Sequence, residues 1–156
     1  MSEMNFFTAN AGLAGVEKLG VDELKLMYRI EMAGELFYNL LADRVDNAEA
    51  AELLRKNAVE EKGHARRLAR AVSIKLGTEW APSAEEEVLL EVPLPDDIDA
   101  KIFAGVVKGE ITGDASYQKW ADAETDAEVE RLLRLNGREE TIHAGRAQQV
   151  FDLLSA

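Results

Sequence analysis

The chain contains only two histidines, and each closes the same kind of pentapeptide: EEKGH at Glu60 to His64 and EETIH at Glu139 to His143. In both, a glutamate stands three residues before the histidine, Glu61 before His64 and Glu140 before His143. Residues three apart on an α-helix share a face about one turn apart, so each pair can offer a carboxylate and an imidazole to one ion. A single Glu-x-x-His is weak evidence, because the spacing recurs by chance on helix surfaces. Here two stand at matching positions, each thirty residues after a glutamate on an apolar stripe, Glu31 and Glu110, with no histidine left over. The expectation is a metal centre ligated by Glu31, Glu61, His64, Glu110, Glu140 and His143.

Charge supports that reading. Four carboxylates balance two divalent cations when both imidazoles are neutral, which removes most of the cost of burying the acids. Without metal the same acids repel one another and take up protons. Oxygen-rich ligation with two imidazoles suits iron or manganese and leaves positions for an oxidant.

The elements that must position these residues are helices. From Val21 to about Arg44, Leu24, Met27, Tyr28, Gly34, Tyr38 and Leu41 recur at helical spacing around Glu31, with Asp22 a candidate cap. After a turn at Asp43 to Asn47, a second helix reaches about Leu76, with Leu54, Ala58, Ala65, Leu68 and Val72 on the face of Glu61 and His64, and Gly77 as its stop signal. A third runs from near Ile98 to about Ala123 with Phe103, Val106, Val107, Gly113, Tyr117 and Trp120 around Glu110. After a turn at Glu124 to Asp126, a fourth ends near Leu154 and carries Leu132, Leu133, Ala147 and Val150 beside Glu140 and His143. Residues 78–97 hold all three prolines and no sustained period, a connection long enough to need a reason. About twelve residues separate Glu31 from the turn and about fourteen separate the turn from Glu61, so at 1.5 Å rise per residue the two end up level.

The two halves are copies. A shift of 79 positions superposes the six candidate ligands in pairs, and with them Gly34 on Gly113, Tyr38 on Tyr117, Asn57 on Asn136, Glu60 on Glu139 and Arg67 on Arg146. Segments 21–77 and 100–156 share sixteen identities without a gap, where chance predicts on the order of 4. Two duplicated hairpins packed face to face bring four carboxylates and two imidazoles into the middle of one bundle, the arrangement of di-metal carboxylate proteins.

Bulk properties narrow the alternatives. The length fits one domain, residues 21–156, behind an N-terminal segment, 1–20. A net charge of −12 argues against nucleic acid and favours cations. No apolar run reaches the roughly 18 residues of a membrane span. The first residues, MSEMNFFTAN, have no basic region or hydrophobic stretch of a signal peptide, so a cytoplasmic setting is expected. Absence of cysteine excludes disulfides, thiol nucleophiles and a four-cysteine iron centre within the chain.

Glu31, EEKGHARR at Glu60 to Arg67, Glu110 and REETIHAGR at Arg138 to Arg146 together resemble the ferritin-like di-iron superfamily, particularly its rubrerythrin and bacterioferritin branches, over about residues 21–156. The resemblance implies an all-α, antiparallel four-helix bundle whose long crossover between helices two and three accounts for residues 78–97. It implies two irons, commonly bridged by the carboxylates of the two Glu-x-x-His motifs, Glu61 and Glu140, and reaction with dioxygen or peroxide. Tyr38 and Tyr117 stand where relatives carry tyrosines near the centre, to pack in the core or to bond ligand carboxylates. Asn57 and Asn136 invite the same two readings. Glu60 and Glu139 occupy the place of acids that orient a histidine in bacterioferritins, or else are solvated.

The chain also departs from these relatives. An extra glutamate of many rubrerythrins is replaced by Gly113, mirrored by Gly34, which suggests room near the metals or close helix packing. Glu35 and Asp114 are possible extra acids. The residue after Glu61 is Lys62 rather than a haem-ligating methionine, and only thirteen residues follow His143, so neither haem nor a 24-subunit shell is expected. A homodimer is, with Val88 to Pro95 and Asn5 to Phe7 as contact surfaces or as cover for their own bundle. The expected function is a di-iron oxidoreductase acting on hydrogen peroxide or dioxygen with an external electron donor. The alternatives are a non-catalytic metal-binding or iron-handling module and an oxygenase acting on an organic substrate.

Overall fold

The computed structural model describes residues 4–156, so the first three residues of the N-terminal segment lie outside it. The described residues form five helices: α1 (Phe6–Leu13), α2 (Val21–Arg44), α3 (Ala48–Leu76), α4 (Ala100–Ala123) and α5 (Ala127–Ser155). The extended pairing among them is one isolated bridge between Asn5 and Glu91. Among the described residues no helix is long and apolar enough to cross a membrane.

The four long helices fall where the apolar period and turn residues put them, and local chemistry sets their ends. Asn47 caps α3 by accepting from the Ala50 N–H at 2.9 Å, and Gly77 ends it at φ 72°, a left-handed conformation that glycine adopts without penalty. Asp99 and Asp126 cap α4 and α5 in the same way. Asp22 does not cap α2. Gly20 occupies that position with no side-chain bond, and Asp22 lies in the first turn, where its charge favours the helix dipole.

The expectation of four helices is corrected to five, because α1 lies within the N-terminal segment. Asn5 accepts from the N–H groups of Phe7 and Thr8, while Thr8 Oγ1 accepts from the Asn5 N–H at 2.8 Å, a capping box that closes the first turn. Eight residues make a helix too short to stand alone. Packing holds it: Phe6 stacks on Phe37 with ring centroids 5.3 Å apart, and Ala9 and Leu13 are buried.

α2 pairs with α3 and α4 with α5 as two hairpins, and the hairpins meet along α3 and α5. Two apolar clusters form the core. One gathers Leu24, Met27, Leu68, Tyr117, Trp120 and Val129; the other gathers Phe37, Tyr38, Leu54, Phe103 and Val150. On α3, α4 and α5 the candidate ligands fall between the stretches that enter the two clusters, and on α2 Glu31 falls between Ile30 and Ala33 of the first, so the centre is a polar layer within the apolar core. Residues 78–99 carry the chain from one end of the helices to the other along α2: Arg29 donates to the Val88 carbonyl and Arg44 to that of Pro95. Leu90 is buried and Val92 and Leu94 pack on the core, whereas Val88 and Leu89 stay exposed.

Candidate metal centre

All six candidate ligands are buried at the middle of the long helices, both histidines completely. They form two groups that share members: Glu31, Glu61, His64 and Glu140, and Glu61, Glu110, Glu140 and His143, with the ligand atoms of each group within 4.8 Å of one another. Glu61 and Glu140 belong to both, as two bridging carboxylates would. Glu31 with His64 completes one position, and Glu110 with His143 the other. The imidazole rings lie parallel, 5.2 Å between centroids.

The outer nitrogens of the rings settle which atoms face inward. His64 Nε2 lies 2.9 Å from Glu139 Oε1, and His143 Nε2 lies 3.0 Å from Glu60 Oε1. Arg67 donates twice to Glu139, at 2.8 and 3.2 Å, and Arg146 twice to Glu60, at 2.7 and 3.2 Å. A carboxylate so held cannot donate, so each histidine places its N–H on Nε2 and turns Nδ1 inward. The hydrogen bond from His64, reinforced by Arg67 against partial burial, holds the Glu139 carboxyl down to about 2. Glu60 is lowered as well, its partial burial outweighed by Arg146.

The inner atoms lack what a metal would supply. His64 Nδ1 faces Glu140 Oε1 at 2.8 Å and Glu31 Oε2 at 3.2 Å, and His143 Nδ1 faces Glu61 Oε1 at 2.8 Å. For neutral imidazoles these are acceptors set against acceptors, relieved only by a proton or a cation between them. Glu61 Oε1, Glu110 Oε2, Glu140 Oε1 and His143 Nδ1 are buried with no hydrogen-bond partner. Native interiors leave few such atoms, and these converge on one space. Burial and repulsion from neighbouring carboxylates push Glu31, Glu61 and Glu110 above the usual carboxylate range. The donor set therefore fits two hard or borderline divalent cations.

The surrounding bonds cross between the hairpins. Tyr38 on α2 donates to Glu110 on α4, and Tyr117 on α4 donates to Glu31 on α2 at 2.9 Å. Asn57 donates to the His143 carbonyl and Asn136 to the His64 carbonyl, each at 3.2 Å, with Arg146 and Arg67 donating to their side-chain oxygens. Of the two readings left open for the tyrosines and asparagines, the structure places both pairs against the ligands or their backbone. Arg67 and Arg146 are a role that the sequence reading missed; their identity at matching repeat positions, one turn after each histidine, was the available signal.

The glycines also acquire a reason. A Cβ on Gly34 would overlap Glu61 Oε2, and one on Gly113 would stand 3.1 Å from Glu140 Oε2, so each makes room for one of the shared carboxylates. Glu35 and Asp114 join neither group. Asp114 accepts instead from Gln118 at 3.0 Å and from Thr141, tying α4 to itself and to α5.

Among the comparisons with known proteins, the model of the rubrerythrin family matches residues 22–151. No curated protein and no solved structure matches the chain significantly. With that match spanning all six candidate ligands and all four long helices, the chain belongs to the rubrerythrin family, a ferritin-like di-iron family.

Proposed function

We propose that this protein is a di-iron oxidoreductase that reduces hydrogen peroxide or dioxygen with electrons from an external donor, and that its hairpins form a ferritin-like antiparallel four-helix bundle with its crossover between α3 and α4. The observation that carries the reading is the pair of ligand groups sharing Glu61 and Glu140. Two ferrous ions held there would supply two electrons, which with two protons reduce hydrogen peroxide to two waters or dioxygen to hydrogen peroxide.

The rest of the task belongs to the chain. Glu31 with His64 and Glu110 with His143 hold the two positions, and Glu61 and Glu140 join them. Glu139 and Glu60 fix the imidazole tautomers. Tyr38 and Tyr117 keep Glu110 and Glu31 in place and are buried phenols whose protons are held tightly, pushed well above the usual phenol range by burial and by neighbouring carboxylates. They orient the carboxylates as neutral donors and do not ionise. The face between α2 and α4 supplies a route for the oxidant, because no Cα of one helix comes within 8 Å of the other. With no cysteine in the sequence, a four-cysteine iron centre within it does not supply the electrons, and they are assigned to an external donor. A homodimer through exposed Val88 and Leu89 is part of the proposal, and sedimentation velocity of the wild type and of a V88D/L89D variant tests it.

Stopped-flow mixing of the ferrous-loaded protein with peroxide, and separately with dioxygen, tests the activity. Fast oxidation by either oxidant with two irons retained per chain supports it; indifference to both removes it. Accumulation of many more irons per chain would replace it with storage.

A further inference from the structure

The duplication fails in one place, and the failure is systematic. Along α2, Leu26, Ile30, Ala33 and Phe37 recur at helical spacing, and Ile30 and Phe37 face the crevice; their counterparts on α4 are Gly105, Gly109, Thr112 and Ser116, all of which line it. Three large apolar side chains in one half are two glycines and a serine in the other. Glycine weakens a helix interior relative to alanine, and no packing explains these two: a Cβ on Gly105 or Gly109 would meet no atom within 4 Å. The stripped face leaves a groove of about 760 Å³ between α4, α2 and α1, inside the roughly 300–1,000 Å³ range of small-molecule sites. Phe6, Phe7, Ile30 and Phe37 make its apolar wall, and Glu31, Glu61, Glu110 and Glu140 line it partway along α4. That volume far exceeds the needs of peroxide or dioxygen.

The rim supplies a charge. Lys101 and Lys108 line the groove from α4, and neither has a carboxylate within ion-pairing distance among the described residues. In a chain of net charge −12, two unpaired lysines beside an apolar slot are complementary to an anion with a long apolar tail. From Lys101 to Trp120 the groove follows α4 for nineteen residues, about 28 Å at the rise of a helix, enough for an extended acyl chain. We propose that the groove is a binding site for a long-chain carboxylate, the head group at Lys101 and Lys108 and the chain running along the glycine face toward the metal-centre carboxylates. The proposal rests on the groove and not on redox activity, so it stands or falls separately from the reading above.

cis-Parinarate, a fluorescent long-chain carboxylate, is titrated into the full chain with and without manganese(II), and palmitate and hexadecanol are used as competitors. The expected result is saturable binding of one parinarate per chain, displaced by palmitate. Gly109→Leu, which fills the slot where space is open, weakens binding at least tenfold, while Gly109→Ala retains it; unchanged far-UV circular dichroism and manganese loading establish that both variants fold. Lys101→Glu with Lys108→Glu weakens parinarate tenfold and leaves competition by hexadecanol per bound site unchanged. Absence of saturable binding by the wild type overturns the proposal, as does a Gly109→Leu variant that binds like the wild type. A chain that binds no parinarate and is a dimer that Gly109→Leu converts to a monomer also overturns it, because the groove would then be covered by a second copy. Equal weakening of carboxylate and alcohol by the lysine substitutions overturns the head-group assignment.

Discussion

Glu31, on the first hairpin, is held by Tyr117 from the second: the phenol donates to Glu31 Oε1 at 2.9 Å and accepts from Asn136 at 3.4 Å. Removing the hydroxyl leaves a buried carboxylate oxygen short of a partner, and such losses cost about 1–3 kcal/mol. Tyr117→Phe is expected to lower the stability of the metal-free protein by that amount in urea unfolding, with Tyr38→Phe comparable at Glu110.

Alanine at Gly34 forces Glu61 to move, because its Cβ would overlap Oε2, whereas Gly113→Ala would meet Glu140 at 3.1 Å and needs a few tenths of an ångström. Gly34→Ala is therefore expected to be the more damaging of two formally equivalent substitutions, destabilising by roughly 1–3 kcal/mol. Metal analysis after loading should give fewer than two ions per chain for Gly34→Ala and close to the wild-type content for Gly113→Ala.

The pairs Arg67–Glu139 and Arg146–Glu60 fix the imidazoles without touching the cations' positions. Glu139→Gln keeps the shape but allows an amide N–H to face His64 Nε2, removing the preference for the inward Nδ1 lone pair. Partners of metal-ligating histidines are worth about 10–100-fold in affinity. Competition with a chromophoric chelator should show a loss of that size for Glu139→Gln, and a similar one for Arg67→Ala.

Metal and pH act on stability with opposite signs. Glu31, Glu61 and Glu110 have folded-state values above the ordinary 4.5, so between 4.5 and those values these three groups bind more protons in the folded metal-free chain than in the unfolded one. Their share of the stability therefore falls as pH rises from about 4.5 through the folded values. Glu139, at about 2 when folded, contributes the opposite way: its share is present above 4.5 and is lost as pH falls toward 2. Metal binding needs the carboxylates deprotonated, so affinity grows with pH. Thermal melts with chelator and with manganese(II) should draw apart as pH is raised from about 5 to about 8; a constant gap would contradict the protonation scheme.

How much of this was legible beforehand depends on range. Glu31, Glu61 and His64 lie on apolar stripes whose period shows directly in the residues, and the duplication supplied Glu110, Glu140 and His143. Cross-hairpin bonds such as Tyr117 to Glu31, 86 residues apart, could be expected only as contact with some carboxylate, since spacing along one helix does not determine what a facing helix presents. Helix α1 was hidden because eight residues carry too few periods to register and its support is tertiary, from Phe37 and the bridge at Glu91. For Glu35 and Asp114, left open as possible extra acids, spacing could not decide between the centre and an interhelix contact such as that of Asp114 with Thr141.

Each ligand group draws on both hairpins: Glu140 enters the group of His64, and Glu61 that of His143. Neither half of the chain owns a complete ion site, so bound cations would act as rivets between two pieces already joined by shared apolar clusters, crossed hydrogen bonds and the tether of residues 78–99. Cleaved within that tether, the loaded protein should elute from gel filtration as one particle, and stripping its ions should ease the fragments apart.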